Sequence, residues 1–143
     1  MFKKLIRERR CLIPANCYYE WQETKIGMRP YCIRMEDESP FFIGGIWDVW
    51  YAREEDRLYT FTVLTIFPND VSAPVHDRMP VIVQPTDYER WLDPENEDVS
   101  DLLAPTPADG WIAYPLNRRV NNPKNDDVRL IEPEEASLYA TRM

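Results

Sequence analysis

Residues 10–21 read Arg-Cys-Leu-Ile-Pro-Ala-Asn-Cys-Tyr-Tyr-Glu-Trp, which is two apolar runs separated by a short polar turn. The first run, at residues 11–13, predicts a short strand, and the aromatic run at residues 18–22 predicts a second strand. After a further turn, residues 31–34 are expected to return as the hairpin partner of the second strand. This part of the sequence therefore predicts antiparallel β structure.

The flanking sequence predicts more short strands and a few short helices. An amphipathic helix is expected at residues 2–10, and the capping-box spacing of Thr86 and Glu89 predicts a helix at residues 87–92. The pair Gly44-Gly45 indicates a β-bulge or a close approach of backbone in the strand that contains it. Further strands are predicted at residues 41–47, 58–66, 80–84, 111–116 and 128–131, and a further helix at residues 98–103.

The composition describes one ordinary globular domain. The chain has 143 residues, of which 44% are hydrophobic and 29% are charged, without repeats or a long linker. No run approaches the roughly 20 apolar residues that cross a bilayer, and the N-terminal sequence has no secretory signal. We therefore expect a single cytoplasmic domain spanning residues 1–143, of the α+β class and mostly antiparallel β.

The net charge of −8 is unevenly distributed. Residues 1–34 carry eight Lys or Arg against three Asp or Glu, whereas the rest of the chain carries nine against 22. Local basic charge of this kind is typical either of a solvated helix or of a face that neutralises nucleic-acid phosphates. The charge alone favours the solvated helix.

Two titratable residues are candidates for acid–base chemistry. His76, the only histidine, lies in a proline-bounded polar loop between two predicted strands, where a rigid scaffold can present reactive groups. Glu20 stands among three aromatic residues, and desolvation there would raise its pKa into a range useful for a general acid or base. The alternatives are a structural histidine and an outward-facing glutamate on a half-buried strand.

The three cysteines predict neither a disulfide framework nor a metal centre. Cys11, Cys17, Cys32 and His76 could supply three sulfurs and one nitrogen to zinc, but no pair has the close Cys-x-x-Cys spacing of structural zinc sites. Cys11 and Cys32 are expected to be small core residues, and Cys17 to lie in a turn. We expect no metal and no organic cofactor.

Six segments of the sequence, taken in order, match the pattern of a known protein family. They are residues 10–21, 41–47, 60–65, 76–80, 114–116 and 120–122. Together they resemble the SOS-response-associated peptidase (SRAP) family, and the resemblance spans nearly the whole chain. The specific motifs are Glu20-Trp21 and His76-Asp77-Arg78-Met79-Pro80. The resemblance implies a β-barrel-type core of mostly antiparallel strands with a few short helices.

The resemblance also implies a function in the DNA-damage response. Members of the family covalently crosslink abasic sites in single-stranded DNA through an N-terminal cysteine, which is thought to free itself from a precursor by autopeptidase action. By motif match, Glu20 would shuttle protons and His76 would help to open the sugar and to reverse the crosslink. Arg78 would bind a backbone phosphate, Arg10 would be a further DNA contact, and Trp21 would support a base.

The same resemblance implies that roughly the first third of the family domain, including the N-terminal cysteine, is absent from this sequence. The chain is then expected to be inactive alone, as a truncated fragment, half of a split enzyme or a degenerate homologue kept for binding, of which we favour the first. Missing strands would expose sheet edges and apolar surface, so a separately encoded N-terminal fragment or self-association is expected. A second departure is Cys17, where the family usually has glycine.

A non-covalent single-stranded DNA-binding module is the alternative function. Its affinity would come from cations that contact phosphates without sequence information. The candidate phosphate contacts are Lys3, Lys4, Arg7, Arg9, Arg10 and Arg78.

Overall fold

A computed structural model of the chain describes residues 2–53 and 56–134. Within these residues the strands are β1 (Arg10–Ala15), β2 (Tyr18–Thr24), β3 (Gly27–Met35), β4 (Phe41–Arg53), β5 (Asp56–Val63), β6 (Thr65–Ile66), β7 (Met79–Pro80), β8 (Ile82–Val83) and β9 (Trp111–Pro115). The α-helices are α1 (Phe2–Glu8) and α2 (Tyr88–Leu92), and 3-10 turns lie at Pro85–Asp87, Ser100–Leu102, Arg118–Asn121 and Val128–Ile131. The expected fold class, mostly antiparallel β with a few short helices, is confirmed.

The chain forms two compact units. The first comprises residues 1–15, 41–67 and 78–107, and the second comprises residues 16–40, 68–77 and 108–143. None of the helices in the described part of the chain is both long enough and apolar enough to span a membrane.

The first unit is built on an antiparallel sheet in the order β1-β4-β5, with β8 also paired to β4 and with β6 and β7 forming a separate ribbon. Its core contains Trp91, which is fully buried, together with the buried valines Val81, Val83 and Val99. Gly44 makes the close approach that the sequence predicted, because a Cβ there would lie 2.8 Å from the Trp91 ring. The bulge in β4 lies further along, between Tyr51 and Arg53.

Arg10 joins three segments of the first unit. Its side chain is buried, at 7% exposure, and its guanidinium donates only to main-chain carbonyls. A buried guanidinium is tolerated only when its donors are satisfied, and here they fasten α1 and β1 to the end of α2. The five acceptors are the carbonyl oxygens of Ile6, Arg7, Trp91, Asp93 and Asn96.

The second unit is built on an antiparallel sheet in the order β2-β3-β9. Tyr19 lies opposite Cys32 and Glu20 opposite Tyr31 in the β2–β3 ladder, and Cys32 lies opposite Tyr114 in the β3–β9 ladder. The central strand β3 is covered on both faces at this point, since Cys32 and its neighbour Ile33 are both fully buried.

Four local predictions were wrong. The predicted strand at residues 80–84 is divided at Val81 into β7 and β8, which belong to different sheets. Residues 128–131 form a 3-10 turn instead of a strand, because the Asp127 side chain accepts from the Arg129 N–H and caps the turn. The capping box at Thr86 does not form, since its hydroxyl lies 3.4 Å from the Asp87 carboxylate and no side chain caps α2. The predicted strand at residues 58–66 is divided at Leu64 into β5 and β6, which belong to different sheets.

Candidate functional site

One face of β2 is fastened to the segment of residues 68–77 in the second unit. Strand alternation places Tyr18, Glu20 and Gln22 on the same face. The Tyr18 hydroxyl lies 2.7 Å from Ser72 Oγ, and the Gln22 amide donates to the Pro74 carbonyl at 2.7 Å. Glu20 stands between these two attachments and therefore faces the same segment.

The segment that carries His76 is held by its own hydrogen bonds. Ser72 is buried, with 1% exposure, and its N–H donates to both the carbonyl and the side-chain oxygen of Asn69. The Ser72 carbonyl in turn accepts from the N–H groups of Val75 and His76, at 2.9 and 3.0 Å. These bonds fix the backbone that carries the His76 side chain.

Glu20 and His76 are near enough to interact electrostatically. Burial raises the pKa of Glu20 above its ordinary value of 4.5, the charge of His76 lowers it, a hydrogen bond from the Trp21 main chain also lowers it, and Asp77 raises it. The His76 side chain is 39% exposed, and its Nδ1 lies 3.2 Å from Asp77 Oδ1. A half-buried carboxyl of raised pKa beside a partly exposed imidazole is an arrangement suited to donating and accepting protons.

Trp21 does not share this face. As the neighbour of Glu20 in β2 it points to the opposite side of the sheet, where its indole N–H donates to Asn121 Oδ1 at 2.8 Å. Asn121 ends the 3-10 turn Arg118–Asn121. The indole is therefore held in one orientation by a part of the chain 100 residues away.

The two predicted arginines both lie in the first unit and have different surroundings. Arg78 is exposed, and its guanidinium donates to the carbonyl and hydroxyl oxygens of Thr65 at 2.5 and 2.9 Å. This contact orients an exposed cation, as a phosphate-binding residue requires. Arg10, by contrast, donates its hydrogen bonds to the five main-chain carbonyls described above, so we do not propose it as a DNA contact.

Sequence reasoning did not identify the residues that position the site. Tyr18, Gln22, Ser72 and Asn69 hold Glu20 and His76 in place, and none of them was proposed from the sequence. The available signal was the alternation of three polar-tipped side chains, Tyr18, Glu20 and Gln22, on one strand face. Among the described residues, no group of three or more His, Cys, Asp or Glu is arranged to hold a metal ion.

Comparison with known proteins gives a consistent result. The family model for SOS response associated peptidase (SRAP) matches residues 1–123. The abasic site processing protein YoqW of Bacillus subtilis is 39% identical over 138 residues, covering 92% of this chain and 60% of that protein. The abasic site processing protein HMCES of Gallus gallus is 28% identical over 158 residues, covering 94% of this chain and 46% of that protein.

Solved structures agree with the sequence matches. A crystal structure of a Bacteroides thetaiotaomicron protein superposes with a TM-score of 0.83 at 27% identity, covering 93% of this chain and 60% of that one. A Bordetella bronchiseptica protein superposes with a TM-score of 0.72 at 28% identity, covering 81% of this chain and 59% of that one. The chain thus spans about 60% of the length of the first curated relatives that it matches. It belongs to the SOS response associated peptidase (SRAP) family.

Proposed function

We propose that this chain acts in the DNA-damage response, as a cytoplasmic SRAP-family domain spanning residues 1–143 that handles abasic sites in single-stranded DNA. The observation that carries this proposal is the placement of Glu20 against the held segment that presents His76. The relatives named abasic site processing proteins supply the substrate class.

The proposed chemistry is covalent capture of the ring-opened abasic sugar by an N-terminal cysteine. The amine adds to the aldehyde, water leaves to give an imine, and the thiol then adds to form a thiazolidine. Glu20 gives a proton to the departing hydroxyl and takes one back from the attacking thiol, which requires a pKa near the working pH. His76 assists the opening of the sugar and the reversal of the crosslink, and the same cysteine carries out the autopeptidase step.

The nucleophile of this scheme comes from outside residues 1–143. The assays therefore use two forms of the protein, the chain itself and an extended form in which the N-terminal third that the family resemblance implies, beginning with cysteine, precedes residue 1. The chain alone supplies the acid–base groups and DNA contacts, and only the extended form carries an N-terminal cysteine. We expect covalent capture by the extended form alone.

Arg78 in the first unit, and Trp21 in the second unit on the face of β2 opposite to Glu20, are proposed as two separate DNA contacts. Arg78 presents a fixed, exposed guanidinium for a backbone phosphate, and the Trp21 ring offers an aromatic face for a base. The basic residues of the N-terminal segment are less suited to phosphate binding, because three of them already face carboxylates. These ion pairs are Lys4 with Glu8, Arg7 with Glu97 and Arg9 with Asp48.

A denaturing gel separates covalent capture from simple binding. Single-stranded DNA with one abasic site is incubated with the extended form and then denatured. We expect a slower band that survives denaturation, and no such band with the same DNA carrying an intact base. If complexes are seen only on native gels and disappear as salt is raised, the protein is the non-covalent single-stranded DNA-binding module instead.

We also propose that the β4–β5 hairpin binds the remaining part of the family domain. Every residue of β5 is exposed, β5 pairs only with β4 among the described residues, and an unpaired edge strand is a template for strand addition. Large apolar side chains are exposed along this hairpin, and Phe61, for example, is 61% exposed. An apolar pocket of about 350 Å³ lies beside them, between β1 and β5. The exposed apolar residues of the hairpin are Trp50, Tyr51, Leu58, Tyr59, Phe61 and Val63.

Sedimentation tests this proposal. A chain that stays monomeric and does not bind the separately expressed N-terminal segment would exclude both this partner and self-association.

A further inference from the structure

Two cysteines meet on the face of the β2–β3–β9 sheet opposite to Glu20. Tyr19 lies directly across from Cys32, and Cys17 precedes β2 on the same side as Tyr19. The Cys17 and Cys32 thiols are near enough to influence each other's ionisation, although 14 residues separate them in the sequence. Cys17 lies just outside the β2–β3 ladder, which begins at Tyr18, so its backbone is not fixed by strand pairing at that position.

The surroundings of Cys17 favour its thiolate. The interaction with the Cys32 thiol, a hydrogen bond from Tyr19 and the positive charge of Arg34 outweigh the effect of burial and lower the pKa of Cys17 below its ordinary value. Arg34 is held over the Tyr114 ring at 5.6 Å and by Glu38 at 2.8 Å, so its charge stays beside the sulfurs.

Cys32 has the opposite character. It is fully buried, and its hydrogen bond to the Cys17 sulfur, together with desolvation, raises its pKa far above the ordinary value. A partly exposed thiol of lowered pKa beside a buried thiol is the arrangement in which a first oxidation is resolved by a second cysteine.

We propose that Cys17 is an oxidation site that reacts with peroxides and is then resolved by Cys32 as an intramolecular disulfide. This site is separate from the proposed acid–base pair, because Cys17 and Glu20 belong to opposite faces of the sheet. The new bond would enclose the β2–β3 hairpin, on which Glu20 is carried.

The reaction balances with hydrogen peroxide as the named oxidant. The Cys17 thiolate attacks one peroxide oxygen, the O–O bond breaks, and sulfenic acid and hydroxide are formed. The Cys32 sulfur then attacks the Cys17 sulfur, the S–O bond breaks, and hydroxide leaves and takes the Cys32 proton as water. In sum, two thiols and one peroxide give one disulfide and two waters, with two electrons passing from sulfur to oxygen.

Cys11 is a matched internal control, because it lies in the first unit and burial raises its thiol pKa above 9.0. The full 143-residue chain is treated with one equivalent of hydrogen peroxide, alkylated, digested and examined by mass spectrometry. We expect a peptide pair joined through Cys17 and Cys32, lighter by two hydrogen atoms than the free thiols, with Cys11 still alkylated. A reducing thiol should restore all three cysteines.

Two variants test the order of the steps. In Cys32→Ala, a sulfenic acid should accumulate on Cys17 and be trapped by a cyclic 1,3-diketone, whereas in Cys17→Ala peroxide should leave Cys32 reduced. In the unmodified chain at pH 7, Cys17 should be alkylated about fivefold or more faster than Cys11. The proposal is overturned if Cys11 oxidises or alkylates as fast as Cys17, or if only disulfides between two chains form.

Discussion

Replacing Glu20 by Gln is expected to slow covalent capture of an abasic site about 100-fold or more in the extended form, without unfolding the protein. Glutamine keeps the size and hydrogen-bonding capacity of the side chain but cannot release or take up a proton. The rate is measured from the growth of the denaturation-resistant band with time. Glu20 is only half buried, so its neutralisation should not disturb packing.

Glu23→Gln is the matched control, since Glu23 lies on the same strand, is exposed, and by alternation points to the face opposite to Glu20. Its capture rate should stay within about twofold of the unmodified protein. Equal slowing by both substitutions would mean that the strand, and not the Glu20 carboxyl, is responsible, and the proposed proton shuttle would be wrong.

The raised pKa of Glu20 also fixes the direction of two pH effects. Because the folded protein holds the Glu20 proton more tightly than the unfolded chain does, Glu20 disfavours the folded state increasingly as pH rises above 4.5. Glu20→Gln should thus be at least as stable as the parent at pH 7, with the difference vanishing below pH 4.5.

The rate of covalent capture should fall as pH rises through the raised pKa of Glu20, and the Glu20→Gln variant should lack this fall in rate.

Replacing Arg10 by Met is expected to lower the free energy of unfolding by about 3 to 5 kcal/mol. The substitution keeps an apolar side chain of similar length, but it removes the donors that satisfy five main-chain carbonyls around a buried guanidinium. Urea unfolding of the 143-residue chain, followed by fluorescence of its tryptophans, measures the change.

Arg7→Met provides the comparison for Arg10, because its side chain is 63% exposed and its one ion pair, to Glu97, is long at 3.9 Å. That variant should change stability by no more than about 0.5 kcal/mol. If Arg10→Met is as stable as Arg7→Met but binds single-stranded DNA more weakly, Arg10 is a DNA contact and not a structural residue.

The β2–β3 hairpin was predictable from sequence because its signals are local. Aromatic alternation at residues 18–22 and the following turn predict two paired strands, and the structure has them at Tyr18–Thr24 and Gly27–Met35. The same alternation correctly separates Glu20 from Trp21. What it cannot give is the distant partner, since the attachment of this face to Ser72 and Pro74 depends on contacts 52 to 54 residues away.

Arg10 and Cys17 illustrate the two kinds of information that sequence reasoning lacked. A cation in a basic N-terminal segment is indistinguishable by composition from a phosphate contact, and only the fold reveals that main-chain carbonyls surround Arg10. The pairing of Cys17 with Cys32 depends on strand register, which one residue of slippage would abolish. The strand predicted at residues 128–131 was wrong for a different reason, because the side-chain cap from Asp127 outweighed the apolar pattern of those residues.

Amide and side-chain NMR of the 143-residue chain, titrated with single-stranded DNA that carries a stable abasic-site analogue, tests directly whether Glu20 and His76 form the DNA-facing site. We predict that the largest shifts fall on Glu20, His76 and the segment of residues 68–77, and that they are smaller with the same DNA lacking the analogue. Shifts concentrated on β4 and β5, with Glu20 and His76 unchanged at saturation, would contradict the account.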